Sequence, residues 1–361
     1  MSASHQPTAP LWKDGAFGLF WTGRAVSLLG TAITAVVLPI LIYRLTASAF
    51  LTSLLAALEV IPYLLFGLFA GALADQVNRR WLMVGCDLLN MLLLASIPVA
   101  AWLHALTILQ VFAVALLSAT AFVWFDAANF GAIPTLVGRE RIVAAYSALW
   151  TTDTIVQIIG PAIGGLLAAT IGPALSLGFD ALSYLLSAVT LALIPRALST
   201  LALSDGTSQA IVKRTLGGIR EGIGFLWRQR LVRTLTLLGF GNSLTGGAVM
   251  GLLVVYAVQS LGLPTTDARI GWLFTAGALG SLLATVSLSR LTRLLPIGWV
   301  TLAAMTCDLA LLAALAWTSS LYIALVLYAC WQGCYTLTTM NGIVLRQLVT
   351  PATLQSRVNA Y

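Results

Sequence analysis

Residues 71–80 read GALADQVNRR and lie between two long apolar segments in a chain that has few charges elsewhere. An acid, Asp75, and two arginines, Arg79 and Arg80, are therefore concentrated in one short turn. The chain has 59% hydrophobic and 9% charged residues, whereas about a quarter of the residues in a soluble domain are charged. This composition excludes a soluble domain and indicates a protein that resides in a lipid bilayer.

Long apolar segments recur along the whole chain. A helix that spans the bilayer needs about 20 mostly apolar residues, because the hydrocarbon layer is about 30 Å thick and each backbone amide must be hydrogen-bonded within the segment. No cleavable signal is expected, since the polar run at the amino terminus leads directly into a full-length span. The sequence predicts an all-α, polytopic membrane protein with ten spans, at residues 17–43, 51–73, 82–103, 107–130, 146–170, 174–194, 233–259, 269–289, 297–317 and 320–346.

The lysines and arginines fall mainly in alternate loops. With the amino terminus in the cytoplasm, all but three of the 19 Lys and Arg residues lie on the cytoplasmic side, the exceptions being Arg24, Arg44 and Arg269. Because cytoplasmic loops carry an excess of basic residues, this pattern predicts a multi-pass protein of the inner (plasma) membrane with a cytoplasmic amino terminus. The net charge of +7 reports this topology. The basic residues are scattered over separate loops, which predicts no nucleic-acid partner.

The turn at residues 71–80 resembles the signature loop of the major facilitator superfamily, a large family of secondary transporters. In that family Gly-x-x-x-Asp-Arg-x-Gly-Arg-Arg joins the second and third spans. The chain departs from the pattern at Gln76 and Asn78. The resemblance implies that Asp75, Arg79 and Asp126, an acid at the foot of the fourth span, form a charge network that gates the inner side of a carrier. The matching positions are Gly71, Asp75, Arg79 and Arg80.

The resemblance also implies two pseudo-repeat, six-helix bundles with substrate bound at their interface. We predict a first bundle at residues 1–195, a cytoplasmic linker with an amphipathic surface helix at 196–232, and an incomplete second bundle at 233–361. A degenerate copy of the signature loop, with Ser289, Arg290 and Arg293, follows the eighth span. Since the family plan has twelve spans, two more are expected after Tyr361. A genuine ten-span protein remains the alternative.

The fifth span carries a second motif. Its stretch Gly160-Pro161-Ala162-Ile163-Gly164-Gly165 resembles the core of a motif that is associated with antiporters in the same superfamily. Small residues also let helices approach closely, so the motif is interpreted either as an antiporter signature or as helix packing. Residues 134–149 resemble the fourth loop of bacterial drug and siderophore exporters. This second resemblance implies efflux.

Six acids lie inside the predicted spans, and a charge there is costly, so each is a functional candidate or a paired structural charge. We place Asp87 and Asp126 within about five residues of the cytoplasmic boundary. Arg24 is expected to pair with Asp153, as a structural ion pair or as a proton-linked switch. The candidates for coupling or for substrate binding are Arg24, Glu59, Asp153, Asp180 and Asp308.

The remaining residues argue against an enzyme. The two histidines, His5 and His104, lie outside the spans, which excludes histidine-based catalysis within the membrane. The four cysteines have no metal-site spacing, and no Walker loop is present, so we expect no metal and no cofactor. Aromatic residues of the spans, including a face of Tyr328, Trp331 and Tyr335, are interpreted as packing or interface anchors, or as the lining of a drug cavity.

The predicted function is secondary active transport, with proton-coupled efflux of small amphipathic molecules by alternating access. Export of a siderophore-like or other specific metabolite is the first alternative. A structural or signalling membrane protein that keeps the carrier fold without flux is the second alternative, from a different class. The expected partners are a small-molecule substrate, protons as the coupling ion and membrane lipids, and we expect the protein to be a monomer.

Overall fold

A computed structural model of the chain describes residues 11, 14–74, 76–195, 198 and 229–349. This part of the chain forms ten long helices and no strand. All ten contain a segment that is long and apolar enough to cross a membrane, which confirms the all-α, polytopic fold. The helices are α1 (Gly15–Thr46), α2 (Ala49–Ala74), α3 (Arg79–Trp102), α4 (Ile108–Val137), α5 (Ile142–Thr170), α6 (Pro173–Leu193), α7 (Arg230–Gln259), α8 (Ile270–Leu294), α9 (Ile297–Trp317) and α10 (Leu321–Val349).

Each predicted span falls on one of these helices, but two helices end five or more residues later than expected. Helix α4 continues past residue 130 to Val137 and stops before Gly138, whose φ of 76° favours glycine. Helix α8 continues past residue 289 to Leu294, so Arg290 and Arg293 lie in its last turns and not in a loop. Hydropathy reports where the chain is apolar, whereas a helix can continue beyond that point into polar surroundings.

The chain divides into two compact units. The first contains residues 1–41 and 58–203, and the second contains residues 42–57 and 204–361. Helices α1 and α2 therefore contribute to both units. The predicted amphipathic helix of the linker, at residues 216–228, lies outside the described residues, as does the stretch after Val349.

In the first unit, α3 packs mainly against α6 and α4. Helices α1 and α5 run in parallel and approach closely at the glycines of the fifth-span motif. A Cβ atom added to Gly164 would lie 3.0 Å from the backbone oxygen of Ile33, and one added to Gly160 would lie 2.5 Å from the Cβ of Ala32. Gly160 and Gly164 are therefore packing residues, while Pro161 and Gly165 are buried beside them in α5.

In the second unit, α10 packs against α8 and α9. Tyr328 and Trp331 are each 1% exposed, and their rings stack with centroids 5.6 Å apart. The centroid of Tyr335 lies a further 5.6 Å from that of Trp331. Because Tyr328 and Trp331 are buried, the aromatic face of α10 serves mainly in helix packing, which was one of the interpretations from the sequence.

Candidate functional site

The two arginines of the signature loop bind backbone carbonyl groups of neighbouring helices. Arg79 donates from Nη1 to the backbone oxygen of Gly131 on α4, at 2.9 Å. Arg80 donates from Nη2 to the backbone oxygen of Ala192 in the last turn of α6. The carbonyl end of a helix carries partial negative charge, so the guanidinium of Arg80 is stabilised there. The arginines thus connect the start of α3 to both helices that pack on it.

Asn78, where the family pattern has glycine, has a structural role that sequence reasoning missed. Its Oδ1 atom accepts hydrogen bonds from the backbone nitrogens of Arg80 at 3.1 Å and Trp81 at 3.4 Å. These bonds cap the amino terminus of α3, whose first N–H groups have no partner within the helix. The signal was present in the sequence, since asparagine before a helix is a preferred cap.

Asp126 does not lie at the level of Arg79, and this corrects the prediction from the sequence. Because α4 continues to Val137, Asp126 is about 11 residues, or roughly 16 Å, inside that end of the helix. Arg79 instead reaches Gly131, more than one turn closer to the end. Asp75, the third member of the predicted network, lies outside the described residues.

A first cavity, which we call the Glu59 cavity, lies within the first unit. Its volume is about 200 Å³. Glu59 of α2 and Asp180 of α6 both line it, so the structure brings these two predicted acids together. Apolar and aromatic side chains form most of the remaining wall, with hydroxyl groups of α1 between them. The wall includes Thr31, Thr34, Leu38, Leu94, Val114 and Phe122.

Asp180 is held by hydroxyl groups. It is 1% exposed, and its Oδ2 atom accepts a hydrogen bond of 2.5 Å from the hydroxyl of Thr34. Its Oδ1 atom accepts a second hydrogen bond, of 2.9 Å, from the hydroxyl of Ser183. Both carboxyl oxygens are therefore occupied, which fixes the orientation of the side chain. Glycine at position 30 leaves room for this pair, because a Cβ atom there would overlap both side chains.

Asp87 of α3 is a second buried acid of the first unit and has a different environment. It is 1% exposed, and neither of its carboxyl oxygens has a hydrogen-bond partner within the described residues. It lies near Ser187 without a hydrogen bond of good geometry, and it is close enough to Asp180 and Arg24 for their charges to act on it. An ionised carboxylate would be costly in this position, so Asp87 is a candidate for binding a proton.

A second cavity, which we call the Arg24 cavity, lies in the same unit and has a volume of about 310 Å³. It brings together Arg24 of α1, Asp126 of α4 and Asp153 of α5. The expected ion pair between Arg24 and Asp153 is not formed, since no carboxylate of the described residues lies within 4.0 Å of this guanidinium. Instead, the Cζ atom of Arg24 lies over the rings of Phe122 and Phe125, at 5.7 and 5.1 Å from their centroids.

Phe122 lies between the two cavities. The guanidinium of Arg24 lies over the ring of Phe122, and the same side chain also lines the Glu59 cavity. Tyr63, another lining residue of the Glu59 cavity, has its ring centroid 6.4 Å from that of Phe122. Phe122 therefore contacts Arg24 as well as the space of the Glu59 cavity.

Asp308 lies apart from these residues, in α9 of the second unit. It is 9% exposed, and its Oδ1 atom has no hydrogen-bond partner within the described residues. The indole of Trp331 is its neighbour, but the Nε1 atom of Trp331 also lacks a hydrogen bond of good geometry. Neither of the two cavities includes Asp308.

Known efflux proteins resemble this chain. The multidrug efflux pump Tap of Mycolicibacterium fortuitum is 27% identical over 294 residues, which are 78% of this chain and 68% of Tap. The enterobactin exporter EntS of Shigella boydii is 26% identical over 284 residues, which are 77% of this chain and 64% of EntS. The chain therefore spans about two thirds of the length of these relatives.

The fold matches that of solved transporters. A bacterial homologue of the human lysosomal transporter Spinster, solved in an inward-facing, unoccupied conformation, superimposes with a TM-score of 0.72 at 15% identity. The match covers 98% of this chain and 78% of that protein. The family model described as a transmembrane secretion effector matches residues 5–361. These relatives are transporters and not enzymes, and the chain belongs to this transmembrane secretion effector family of the major facilitator superfamily.

Proposed function

We propose that this protein exports small amphipathic molecules in exchange for protons, by alternating access. The observation that carries the proposal is the Glu59 cavity, in which two carboxyl groups face a mostly apolar space. Ligand sites for small molecules are typically apolar with a few placed polar groups. A carboxyl group in such a wall attracts a cationic group on an otherwise apolar molecule. The similarity to Tap, a multidrug efflux pump, supports this direction of transport.

Proton coupling follows from the chemistry of the same groups. A carboxyl group inside the membrane is costly when it is ionised and has no partner, so it binds either a proton or a cationic substrate. If a proton and a cationic substrate compete for Glu59, binding of one releases the other. Asp180 lines the same cavity as Glu59, and Asp87 is close enough to Asp180 for the charge of one to act on the other. We propose that Asp87, whose carboxyl oxygens have no hydrogen-bond partner within the described residues, accepts a proton released from Glu59.

The signature loop supports a second part of the proposal, which concerns gating. Arg79 and Arg80 connect the start of α3 to α4 and α6. We propose that Asp75 controls opening of the inner side from this anchored loop, as the family resemblance implies. Replacing Asp75 by Asn is expected to slow transport while changing substrate affinity by no more than about threefold, because no described residue of the loop lines either cavity. Loss of binding with normal cycling would refute the gating role.

The test of the export function is efflux of a fluorescent amphipathic cation from energised cells that express the chain. We expect a protonophore to abolish efflux. Glu59→Gln is expected to reduce the rate at least about tenfold, since it removes the cavity charge. The matched control is Glu140→Gln, which removes an exposed acid in the turn between α4 and α5. Equal efflux by Glu59→Gln and by Glu140→Gln would contradict the role of the cavity.

A narrower substrate is the second candidate, because EntS is an enterobactin exporter. Under this alternative the cells would fail to export the cation but would release a siderophore-like metabolite into the medium. A protein that inserts stably and transports neither would be a membrane protein that keeps the carrier fold without flux.

A further inference from the structure

Arg24 has an unusual environment for a charged residue inside a span. It lies about nine residues, or roughly 14 Å, from the start of α1. An arginine keeps its charge in proteins, and its five N–H donors lie in the plane of the guanidinium. The Cζ atom of Arg24 lies over the rings of Phe122 and Phe125, and the donors along the edge of the guanidinium have no hydrogen-bond acceptor among the described residues. Because Arg24 lines the cavity, the donors along this edge are available to a bound molecule.

The opposite charge lies in the same cavity but at a distance. Asp126 and Asp153 line the wall that α4 and α5 form, and neither reaches Arg24 within 4.0 Å. The Oδ1 atom of Asn129, another lining residue, is buried and has no hydrogen-bond partner within the described residues. The cavity thus has a positive end, whose donors have no acceptor among the described residues, and a negative end, where Asp153 lies near Gln157 without a hydrogen bond of good geometry.

The remaining wall is apolar and partly aromatic, with Leu28, Ile133 and Leu149 beside the rings. The rings of Phe130 and Tyr146 lie with their centroids 6.4 Å apart, and Trp150 lines the cavity beside them. A volume of about 310 Å³ is within the range of small-molecule sites. Such a space accommodates a planar apolar body between the two charged ends.

We propose that the Arg24 cavity recognises zwitterionic amphipathic molecules, with Arg24 binding their acidic group and Asp126 and Asp153 binding their ammonium group. This inference rests on the proposed export function and adds to the Glu59 cavity a second binding cavity, which takes a different class of exported molecule. A simple cation would be repelled by Arg24 and would leave its donors unbonded. A simple anion would face two carboxylates. A zwitterion satisfies both ends, and its apolar body lies against the aromatic wall.

The test uses three fluorescent probes that share one ring system. Norfloxacin carries a carboxylate and an ammonium group at neutral pH, its methyl ester keeps only the ammonium group, and its N-acetyl derivative keeps only the carboxylate. Binding to the purified full chain in lipid nanodiscs is measured by fluorescence anisotropy, with no ion gradient. We expect norfloxacin to bind about tenfold more tightly than either derivative, because each derivative leaves one end of the cavity unpaired.

Variants then assign the ends of the cavity. Arg24→Gln is expected to abolish the preference for norfloxacin over the methyl ester, because norfloxacin loses its partner while the methyl ester loses a repulsive charge and binds as well as before or more tightly. Asp153→Asn is expected to weaken binding of norfloxacin and of the methyl ester but not of the N-acetyl derivative. Arg290→Gln, which removes an exposed arginine at the end of α8, is the matched control and should change none of the three affinities.

Equal binding of the three probes to the wild-type chain would overturn the proposal, and so would a preference for norfloxacin that survives in Arg24→Gln. If Arg24→Gln cannot be purified as a single species, the wild-type preference and Asp153→Asn decide the question. Arg24→Lys, which keeps the charge, is then expected to retain the preference. The binding test needs no transport, because it is made at equilibrium without an ion gradient. Failure of the export function would be seen in the efflux assay as absent flux, and the binding result could still be interpreted.

Discussion

A glycine at position 131 gives Arg79 its place on α4. A Cβ atom at this position would lie 2.6 Å from the Cζ and Nε atoms of Arg79, so any other residue has to displace the guanidinium. The charge would then lose its backbone acceptor while remaining close to the bilayer, which is unfavourable. Gly131 is therefore part of the signature-loop arrangement, although it lies more than fifty residues away in the sequence.

Gly131→Ala is expected to lower the midpoint of thermal unfolding in detergent, because the lost hydrogen bond outweighs the gain of up to about 1 kcal/mol from the helix propensity of alanine. Gly85→Ala in α3 is the matched control, since a Cβ atom there meets nothing within 4 Å. We expect the control to be unchanged or slightly more stable. A midpoint for Gly131→Ala at or above that of the control would contradict the contact.

The cap of α3 allows a second prediction at the level of one residue. Asn78→Ala removes the side-chain acceptor for two backbone N–H groups and is expected to destabilise the start of α3 by about 1 kcal/mol. Asn78→Ser keeps a capping oxygen and should retain most of the stability. Hydrogen exchange at the first turn of α3 measures the effect. Equal exchange in the two variants would show that the cap is not needed.

At the scale of the helix, α1 and α5 depend on small residues for their contact. Gly164 lies against the backbone of Ile33, which cannot move aside as a flexible side chain would. We therefore expect Gly164→Leu to separate the two helices and to lower the midpoint of thermal unfolding by several degrees. In size-exclusion chromatography in detergent, less of the variant should elute at the position of the wild-type protein.

Leu166→Ile serves as the control for this helix, because Leu166 lies on the exposed side of α5. It should behave like the wild-type chain. Normal stability of Gly164→Leu would show that the contact between α1 and α5 tolerates a larger residue, and the packing role of the fifth-span motif would be wrong.

The ten helices were predictable from the sequence because hydropathy reports the bilayer directly. The ends of the helices were less predictable, since α4 and α8 extend beyond their apolar segments. Because α4 is longer than predicted, Asp126 lies not at the end of the helix but among the residues that line the Arg24 cavity. The acids themselves were predictable from the cost of charge in a membrane. The sequence did not predict which of these acids lie in the same cavity, because that depends on the rotation and packing of each helix.

At the scale of the whole molecule, the first unit contains both cavities and most of the buried acids described above. The chain belongs to a family of transporters, and its relatives include efflux proteins. The central claim is that the acids of the Glu59 cavity couple export of an amphipathic molecule to the entry of protons. Such coupling is antiport, so the substrate and the proton have to move in opposite directions across the membrane.

The most direct measurement is transport into proteoliposomes that contain the purified chain and an imposed pH gradient, acidic inside. We predict that an amphipathic cation accumulates in the lumen against its own gradient, and that the lumen becomes less acidic at the same time. Glu59→Gln should abolish both signals, whereas Glu140→Gln should leave both intact. Dye accumulation that is equal with and without the pH gradient would contradict the account.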